Sequence, residues 1–247
     1  MRVVKSPTKR ESGAQAAAHG ADLIKRTIAE KGAANIILAT GASQFEMLSA
    51  LTATEGIDWS KVTMFHLDEY IGLDDQHPAS FRKYLRERFE AQVDNLGRAY
   101  YVETESGSPD EVCRVLDELI QDHPIDICFA GIGENGHLAF NDPPADFDTE
   151  KPYIVVDLDE GCRKQQMGEG WFPTIEDVPK QAISMSIKHI CKSQTIILTV
   201  PDARKAEAVK GTLEGEISNL VPASILQNHD DTTLYLDADS ASLLSRE

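Results

Sequence analysis

Basic residues are scarce in this chain of 247 residues. Lys and Arg together number 24 against 41 Asp and Glu, which gives a formal net charge of -17. Binding to nucleic acids and to anionic membrane surfaces depends on clustered Lys and Arg, so this balance argues against both kinds of partner. An anionic small molecule would have to be held by a few local groups.

Cysteine is sparse, and long apolar runs are absent. The four cysteines, at positions 113, 128, 162 and 191, show neither a CxxC pair nor a Cys/His zinc spacing, so we expect free buried thiols. The N-terminus lacks the apolar core of a signal peptide, and no run reaches transmembrane length. These absences predict a location in the reducing cytoplasm.

Strand and helix patterns alternate along the chain. Short apolar runs that predict strands lie at 35–39, 62–67, 99–102, 125–130, 153–158, 182–187, 195–200 and 233–237. Segments that predict helices lie at 11–31, 44–51, 79–90, 109–121, after 201 to about 213, and at 238–245. The alternation predicts a single α/β domain over 1–247, with a doubly wound, mostly parallel, Rossmann-like sheet flanked by helices. Residues 160–180, rich in polar residues and glycine, are predicted to form a lid over the active site.

The glycine-rich loop at residues 131–142 (GIGENGHLAFND) follows the apolar run 125–130. Open α/β sheets bind ligands at the carboxyl ends of their strands, and glycines let a ligand approach the backbone. Asn135, His137 and Asp142 can converge within this loop and form a proton-transfer group, which we call the relay. A glycine-rich turn with a capping histidine is the alternative interpretation.

A candidate anion site lies between the strand 35–39 and the helix 44–51. The connecting loop consists of Thr40, Gly41, Ala42 and Ser43. Unpaired N–H groups and the helix dipole favour negative charge at such a position. The same residues are also compatible with an ordinary strand-to-helix turn in which Ser43 caps the helix.

Two other sites for polar chemistry also follow strands. Asp68 and Glu69 come at the carboxyl end of strand 62–67, and because side chains alternate along extended backbone, only one of them is expected to face a ligand. A solvated strand end is the alternative. Lys205 stands at a helix start, where a cation opposes the helix dipole. It is therefore a candidate anion ligand, or else a solvated surface lysine.

The chain resembles the glucosamine-6-phosphate deaminase (isomerase) family over nearly its whole length. The matching segments are residues 39–43 (ATGAS), 65–73 (FHLDEYIGL), 131–142 and 204–206 (RKA). The wider superfamily includes the 6-phosphogluconolactonases, whose loop resembles residues 131–142 only as far as the Gly-His step.

The resemblance implies an aldose-ketose isomerisation with deamination, in which glucosamine 6-phosphate gives fructose 6-phosphate and ammonia without a metal or an organic cofactor. It implies that the 40–43 loop binds the phosphate and that Lys205 reaches it. Asp68 would move a proton between C2 and C1. His137, supported by the rest of the relay, would open the pyranose ring by shuttling a proton to the ring oxygen.

The chain departs from the pattern of this family at two places. Many members carry Asp where this chain has Asn135 and Glu where it has Asp142, which leaves Asp142 as the only ionised partner of the histidine in this loop. Members usually supply a phosphate-binding arginine from the segment here occupied by residues 167–170 (MGEG). Arg163 and Arg204 are the candidates to replace it, although such exchanges are not conservative at a bidentate phosphate site.

Two other functions are compatible with the same residues. One is hydrolysis of a sugar-phosphate lactone, with His137 activating water. The other is a non-catalytic sensor that binds a sugar phosphate without turnover. Under every interpretation the expected partner is a small-molecule sugar phosphate, and the sequence leaves a homo-oligomer open.

Overall fold

The computed structural model of the protein describes residues 1–168 and 170–245. The strands in these residues are β1 (Arg2–Lys5), β2 (Ala34–Leu38), β3 (Val62–His66), β4 (Asp68–Tyr70), β5 (Arg98–Tyr100), β6 (Ile127–Ala130), β7 (Tyr153–Asp157), β8 (Gln181–Met185), β9 (Thr195–Val200) and β10 (Thr232–Leu236). The α-helices are α1 (Lys9–Lys31), α2 (Phe45–Thr52), α3 (Phe81–Arg88), α4 (Pro109–Gln121), α5 (Glu160–Gly168), α6 (Ile187–Ile190) and α7 (Ala206–Glu214). None of these helices is long and apolar enough to cross a membrane.

The main sheet has seven strands in the order β1-β10-β9-β6-β2-β3-β5, and its neighbouring strands all run parallel. From β2 the chain first builds outward through β3 and β5. It then returns to the other side of β2 and adds β6, β9 and β10. The strand order therefore reverses between β2 and β6, which is the place where open α/β sheets bind their ligands.

Both faces of this sheet are covered by helices. Ile37 of β2 packs in a core cluster with α4 and α7, whereas Ile36 and Leu38 pack in a second cluster with α1, α2 and α3. This division follows from the alternation of side chains along a strand. The doubly wound α/β fold predicted from the sequence is confirmed.

A smaller antiparallel sheet, in the order β4-β8-β7, lies beside the main one. Strand β4 begins at Asp68, two residues after the end of β3 at His66, and Asp68 pairs with Ser184 of β8. A third core cluster joins this sheet to the predicted lid, and it includes Tyr70, Phe140 and Phe172. The chain thus leaves the main sheet directly after β3 and folds over its carboxyl edge.

The predicted helix cap at Ser43 is wrong. Residues Ala42–Gln44 form a short 3₁₀ turn before α2, and the Ser43 side chain makes no capping hydrogen bond. Its hydroxyl instead accepts a hydrogen bond of 3.0 Å from Nε2 of Gln44. The loop is therefore held by a buried glutamine rather than by a serine cap.

The predicted C-terminal helix at residues 238–245 is also wrong, because that segment forms turns. Asp237 and Ser240 close a local loop: the Ser240 N–H donates to the Asp237 carboxylate at 2.8 Å, and the Asp237 N–H donates to the Ser240 hydroxyl at 3.2 Å. Such side-chain bonds compete with helical ones. Strand β1, at the edge of the sheet, was not predicted from its short, partly charged sequence.

Candidate active site

A cleft opens where β2 and β6 end, at the point where the strand order reverses. Its lining includes the whole 40–43 loop, Asp68, His137 and Lys205. The structure therefore brings these predicted site residues together from separate strand ends. Asn135 and Asp142 do not line the cleft, but both contact His137.

The relay is assembled within the 131–142 loop. Nδ1 of His137 lies 3.0 Å from Oδ1 of Asp142, so the aspartate reaches the imidazole although it is shorter than glutamate. Asn135 joins the other two residues, because its Nδ2 donates to Asp142 at 3.1 Å and its Oδ1 accepts from the His137 N–H at 3.1 Å. The side chains of His137 and Asp142 are only 10% and 7% exposed, so water competes little for these contacts.

Asp142 is held in its ionised form. Burial opposes ionisation of this carboxyl, but contacts with His137 and Asn135 outweigh it, and the pKa of Asp142 lies below its ordinary value. The Asp159 N–H adds a longer bond of 3.4 Å to the second carboxylate oxygen. An ionised Asp142 orients the imidazole of His137.

Asp68 is a buried carboxyl whose residue is 5% exposed. Burial, together with the charge of the neighbouring Glu69, raises the pKa of Asp68 to about 8. A carboxylate with such a pKa is a stronger base than an ordinary aspartate. Near neutral pH its carboxyl group can also hold a proton after accepting it.

Glu69 points away from the cleft, as expected from strand alternation. Its carboxylate accepts hydrogen bonds from the backbone of Tyr70 and Phe81, from the Ser80 hydroxyl, and from both the backbone and Nε of Arg82, at 2.8–3.2 Å. It thus ties the end of β4 to the start of α3. A single acidic pair therefore provides one carboxyl for the cleft and one for the scaffold.

The 40–43 loop has a conformation that depends on glycine. Gly41 adopts φ +96°, a left-handed value that favours glycine, and its carbonyl accepts a hydrogen bond of 3.0 Å from the Tyr84 hydroxyl. Buried Gln44 donates to the carbonyls of Ala130 and Thr199 at 3.3 and 3.2 Å. The loop is therefore fastened to the ends of β6 and β9. Gln44 was not predicted as a site residue, because nothing in a lone glutamine at a helix start signals such a role.

Among the described residues, three cationic side chains line the cleft. Lys205 is 6% exposed, and Lys9 and Arg204 also line the cleft. Nη2 of Arg204 lies 3.2 Å from Oδ2 of Asp202, and Nη1 lies 3.6 Å from Oε1 of Glu134. Lys9, from the first turn of α1, was missed because it is distant in sequence and carries no motif.

The predicted lid reaches the cleft through α5. Gln165 and Gln166 line the cleft, and Gln165 accepts a hydrogen bond of 3.0 Å from the Glu134 N–H. Phe172 packs edge-on against Tyr70 with ring centroids 5.5 Å apart. The first half of this segment forms α5, and its role as a lid stays a prediction.

A family model described as "Glucosamine-6-phosphate isomerases/6-phosphogluconolactonase" matches residues 7–235. The chain belongs to this family. It is 36% identical over 246 residues to a glucosamine-6-phosphate deaminase of Streptococcus pneumoniae (strain Hungary19A-6), and the match covers 100% of both chains.

Solved structures of the family are similar to this chain throughout. A monomeric glucosamine-6-phosphate deaminase, described as a missing link of the NagB superfamily, superposes with a TM-score of 0.88 at 34% identity, covering 99% of this chain and 100% of that one. A 6-phosphogluconolactonase from Shewanella baltica OS155 has a TM-score of 0.80 at 17% identity, covering 96% and 98%. The second likeness establishes the shared fold alone.

The arginine expected from the resemblance to the deaminases has two candidate replacements in this family member. Arg163 donates to the backbone carbonyls of Ile175 and Val178 and is not part of the cleft lining. Arg204 does line the cleft. Within the segment 167–170, Glu169 lies outside the described residues.

Proposed function

We propose that the protein deaminates an amino-sugar 6-phosphate. The substrate we propose is glucosamine 6-phosphate, which gives fructose 6-phosphate and ammonia. The observation that carries this proposal is that Asp68 and His137, from different strand ends, line one cleft together with the cationic Lys205. A base, a proton shuttle and an anion ligand in one cleft are what the reaction requires. Full-length similarity to named deaminases supports the same substrate class.

The phosphate end of the substrate is assigned to the 40–43 loop and Lys205. The 3₁₀ turn and the following helix α2 direct backbone N–H groups and a helix dipole toward an anion. Lys205 is buried and lines the same cleft as this loop, and Lys9 and Arg204 add positive charge in a protein with a net charge of -17. A local concentration of cations is what an acidic protein needs in order to hold a phosphate.

Ring opening is the first chemical step and is assigned to the relay. Because Nδ1 of His137 is held toward Asp142, Nε2 is the ring atom left to exchange a proton with the sugar. Transfer of a proton from the C1 hydroxyl to the ring oxygen gives the open aldehyde. In the closed ring the C2 proton is not acidic, whereas in the open form it lies next to a carbonyl, so this step has to come first.

Asp68 then carries out the isomerisation. Its carboxylate takes the C2 proton and gives an enolamine, and its protonated form returns a proton to C1. The product is an imine at C2, which water hydrolyses to the ketone and ammonia. The stabilised neutral form of Asp68, with a pKa of about 8, suits a group that must hold a proton between the two carbons. Each positioned proton transfer contributes roughly 10²–10⁴-fold.

The direct test is a product assay on purified protein with a panel of amino-sugar 6-phosphates that includes the galacto epimer. We expect ammonia and fructose 6-phosphate in equal amounts from glucosamine 6-phosphate. Faster hydrolysis of 6-phosphogluconolactone than deamination would assign the protein to lactone chemistry instead. Thermal stabilisation by sugar phosphates without any product would make it a sensor.

The proposed compartment is the cytoplasm. All four cysteines are free thiols, three buried and Cys191 half-buried. Free thiols of this kind are typical of proteins in a reducing environment.

A further inference from the structure

Cys162 lies beside the relay although the proposed reaction does not use it. A ring nitrogen of His137, a carboxylate oxygen of Asp142 and Sγ of Cys162 all lie within 4.8 Å of one another. Cys162 is 1% exposed and stands in the first turn of α5, where its N–H donates to the Asp159 carboxylate at 2.6 Å. The helix that forms the start of the predicted lid therefore places a thiol against the catalytic histidine and aspartate.

These three side chains are the ligand types that a borderline-soft divalent cation prefers. Imidazole nitrogen and thiolate sulfur bind Zn²⁺ and Cd²⁺, whereas Mg²⁺ and Ca²⁺ require oxygen ligands. Binding of the cation to Sγ displaces the proton of the Cys162 thiol to solvent. A neutral histidine, a carboxylate and the resulting thiolate together carry two negative charges, which balance one divalent cation in a buried place. Ligand atoms of a tetrahedral site are separated by roughly 3–4 Å. Side-chain rotations that move the ligand atoms by about an ångström would therefore complete the geometry.

Three protein ligands leave a fourth coordination position. Asp142 and Cys162 do not line the cleft, so a cation held by the three residues lies on the Nδ1 side of the imidazole ring, next to Asp142. A cation bound here takes Nδ1 of His137 and the carboxylate of Asp142 out of the relay. Occupancy and proton shuttling are therefore mutually exclusive.

We propose that His137, Asp142 and Cys162 form a binding site for a divalent cation of the Zn²⁺ or Cd²⁺ class, and that an occupied site inhibits the enzyme. The inhibitory part rests on the function proposed above. The binding part does not, because it depends only on the donor atoms and their separation.

The test is a Cd²⁺ titration of the chelator-treated full-length protein, followed by the sulfur-to-cadmium charge-transfer absorbance in the ultraviolet. We expect the band to saturate at about one Cd²⁺ per chain, with Zn²⁺ displacing Cd²⁺ and Mg²⁺ having no effect. Cys162→Ser should lose the band and weaken affinity at least about tenfold. The matched control is Cys191→Ser, because Cys191 is a more exposed thiol at the end of α6 and outside the cluster. It should bind as the unmodified chain does.

A second variant covers the case in which Cys162→Ser does not fold. Asp142→Asn keeps the thiol and should keep the charge-transfer band, with Cd²⁺ affinity again reduced at least about tenfold. A band that survives in folded Cys162→Ser, or no band in the unmodified chain at saturating Cd²⁺, overturns the site.

Inhibition is measured separately, so that the two proposals can fail independently. Zn²⁺ should inhibit turnover in proportion to occupancy, and Cys162→Ser should need at least about tenfold more Zn²⁺ for the same inhibition. Binding through Cys162 with turnover unaffected overturns the inhibitory role and counts against His137 as the proton shuttle. Absence of turnover in every assay contradicts the proposed function, and the absorbance still decides the metal site.

Discussion

The imidazole ring of His137 occupies the space in which a side chain on Gly133 would begin. A Cβ atom added to Gly133 would lie 2.2 Å from Cε1 and Nε2 of His137. The same two residues are joined through the backbone, since the Gly133 N–H donates to the His137 carbonyl at 2.9 Å. The tight loop and the position of the His137 ring thus depend on the absence of a side chain at Gly133.

Gly133→Ala should therefore lower activity by displacing the ring. A methyl group cannot share the place of the imidazole, so His137 must rotate away from Asp142, and kcat should fall by about 10²-fold or more. The measurement is kcat together with Tm. Gly107→Ala is the control, because its added Cβ meets only the side chain of Glu111, at 3.5 Å. A Gly133→Ala variant with unchanged kcat would contradict the assignment of His137.

Asp68→Asn should abolish exchange of the C2 proton with solvent. The amide fills the space of the carboxyl but cannot accept the proton, so we expect loss of exchange and a fall in kcat of at least about 10²-fold. Exchange is followed by isotope incorporation from heavy water into recovered substrate and product. Undiminished exchange in the variant would remove Asp68 from the mechanism.

The raised pKa of Asp68 makes both activity and stability depend on pH. As a base Asp68 acts when deprotonated, so kcat/KM should rise as the pH increases through about 8. Folding favours the neutral form, because the pKa rises from 3.8 to about 8. The stabilisation is present in full below the unfolded value and is lost as the pH rises through the folded value.

Asp68→Asn does not titrate, so it should keep the stability that the unmodified chain loses. The Tm of the variant minus that of the unmodified chain should therefore increase between about pH 5 and about pH 9. The increase should be roughly 2–4 °C for each kcal/mol of unfolding free energy that the unmodified chain loses. Melting curves at the two pH values check this. A Tm difference that stays constant over this range would show that position 68 does not titrate there.

Asp142→Asn should change kcat rather than KM. Asp142 touches His137 but does not line the cleft, so the variant loses the anion behind the imidazole while the binding surface stays intact. We expect kcat to fall by about 10²-fold with little change in KM. Asp142→Glu restores the charge and should recover part of kcat. An effect confined to KM would place Asp142 in substrate binding instead.

Lys205→Met should weaken binding of the phosphate. Loss of a charge-assisted hydrogen bond costs about 1.5–3 kcal/mol, which corresponds to a rise in KM of roughly 10- to 100-fold for the 6-phosphate. Lys210→Met is the control, since Lys210 lies exposed on α7, the helix that begins directly after Lys205. An equal rise in KM in both variants would mean that general electrostatics, rather than Lys205, holds the phosphate.

Local pattern was enough to predict most strands and helices. The run Thr195–Val200 and the helix Pro109–Gln121 were predicted with their observed bounds, because buried parallel strands and amphipathic helices have strong periodicity. The 131–142 loop was recognised as central because its glycines and polar residues follow a fully apolar run. The same local information failed at 238–245, where bonds between Asp237 and Ser240 override helical periodicity.

Residue order alone could identify Asp68, His137 and Lys205 as chemically unusual and, through the resemblance, associate them with one reaction. It could not show that Lys9 joins them, that Gln44 fastens the 40–43 loop, or that Cys162 lies beside His137. These contacts join residues far apart in the chain, and they depend on how the strands are ordered and how α5 packs. The pKa of Asp68 likewise depends on burial, a property of the folded molecule that no local stretch of sequence contains.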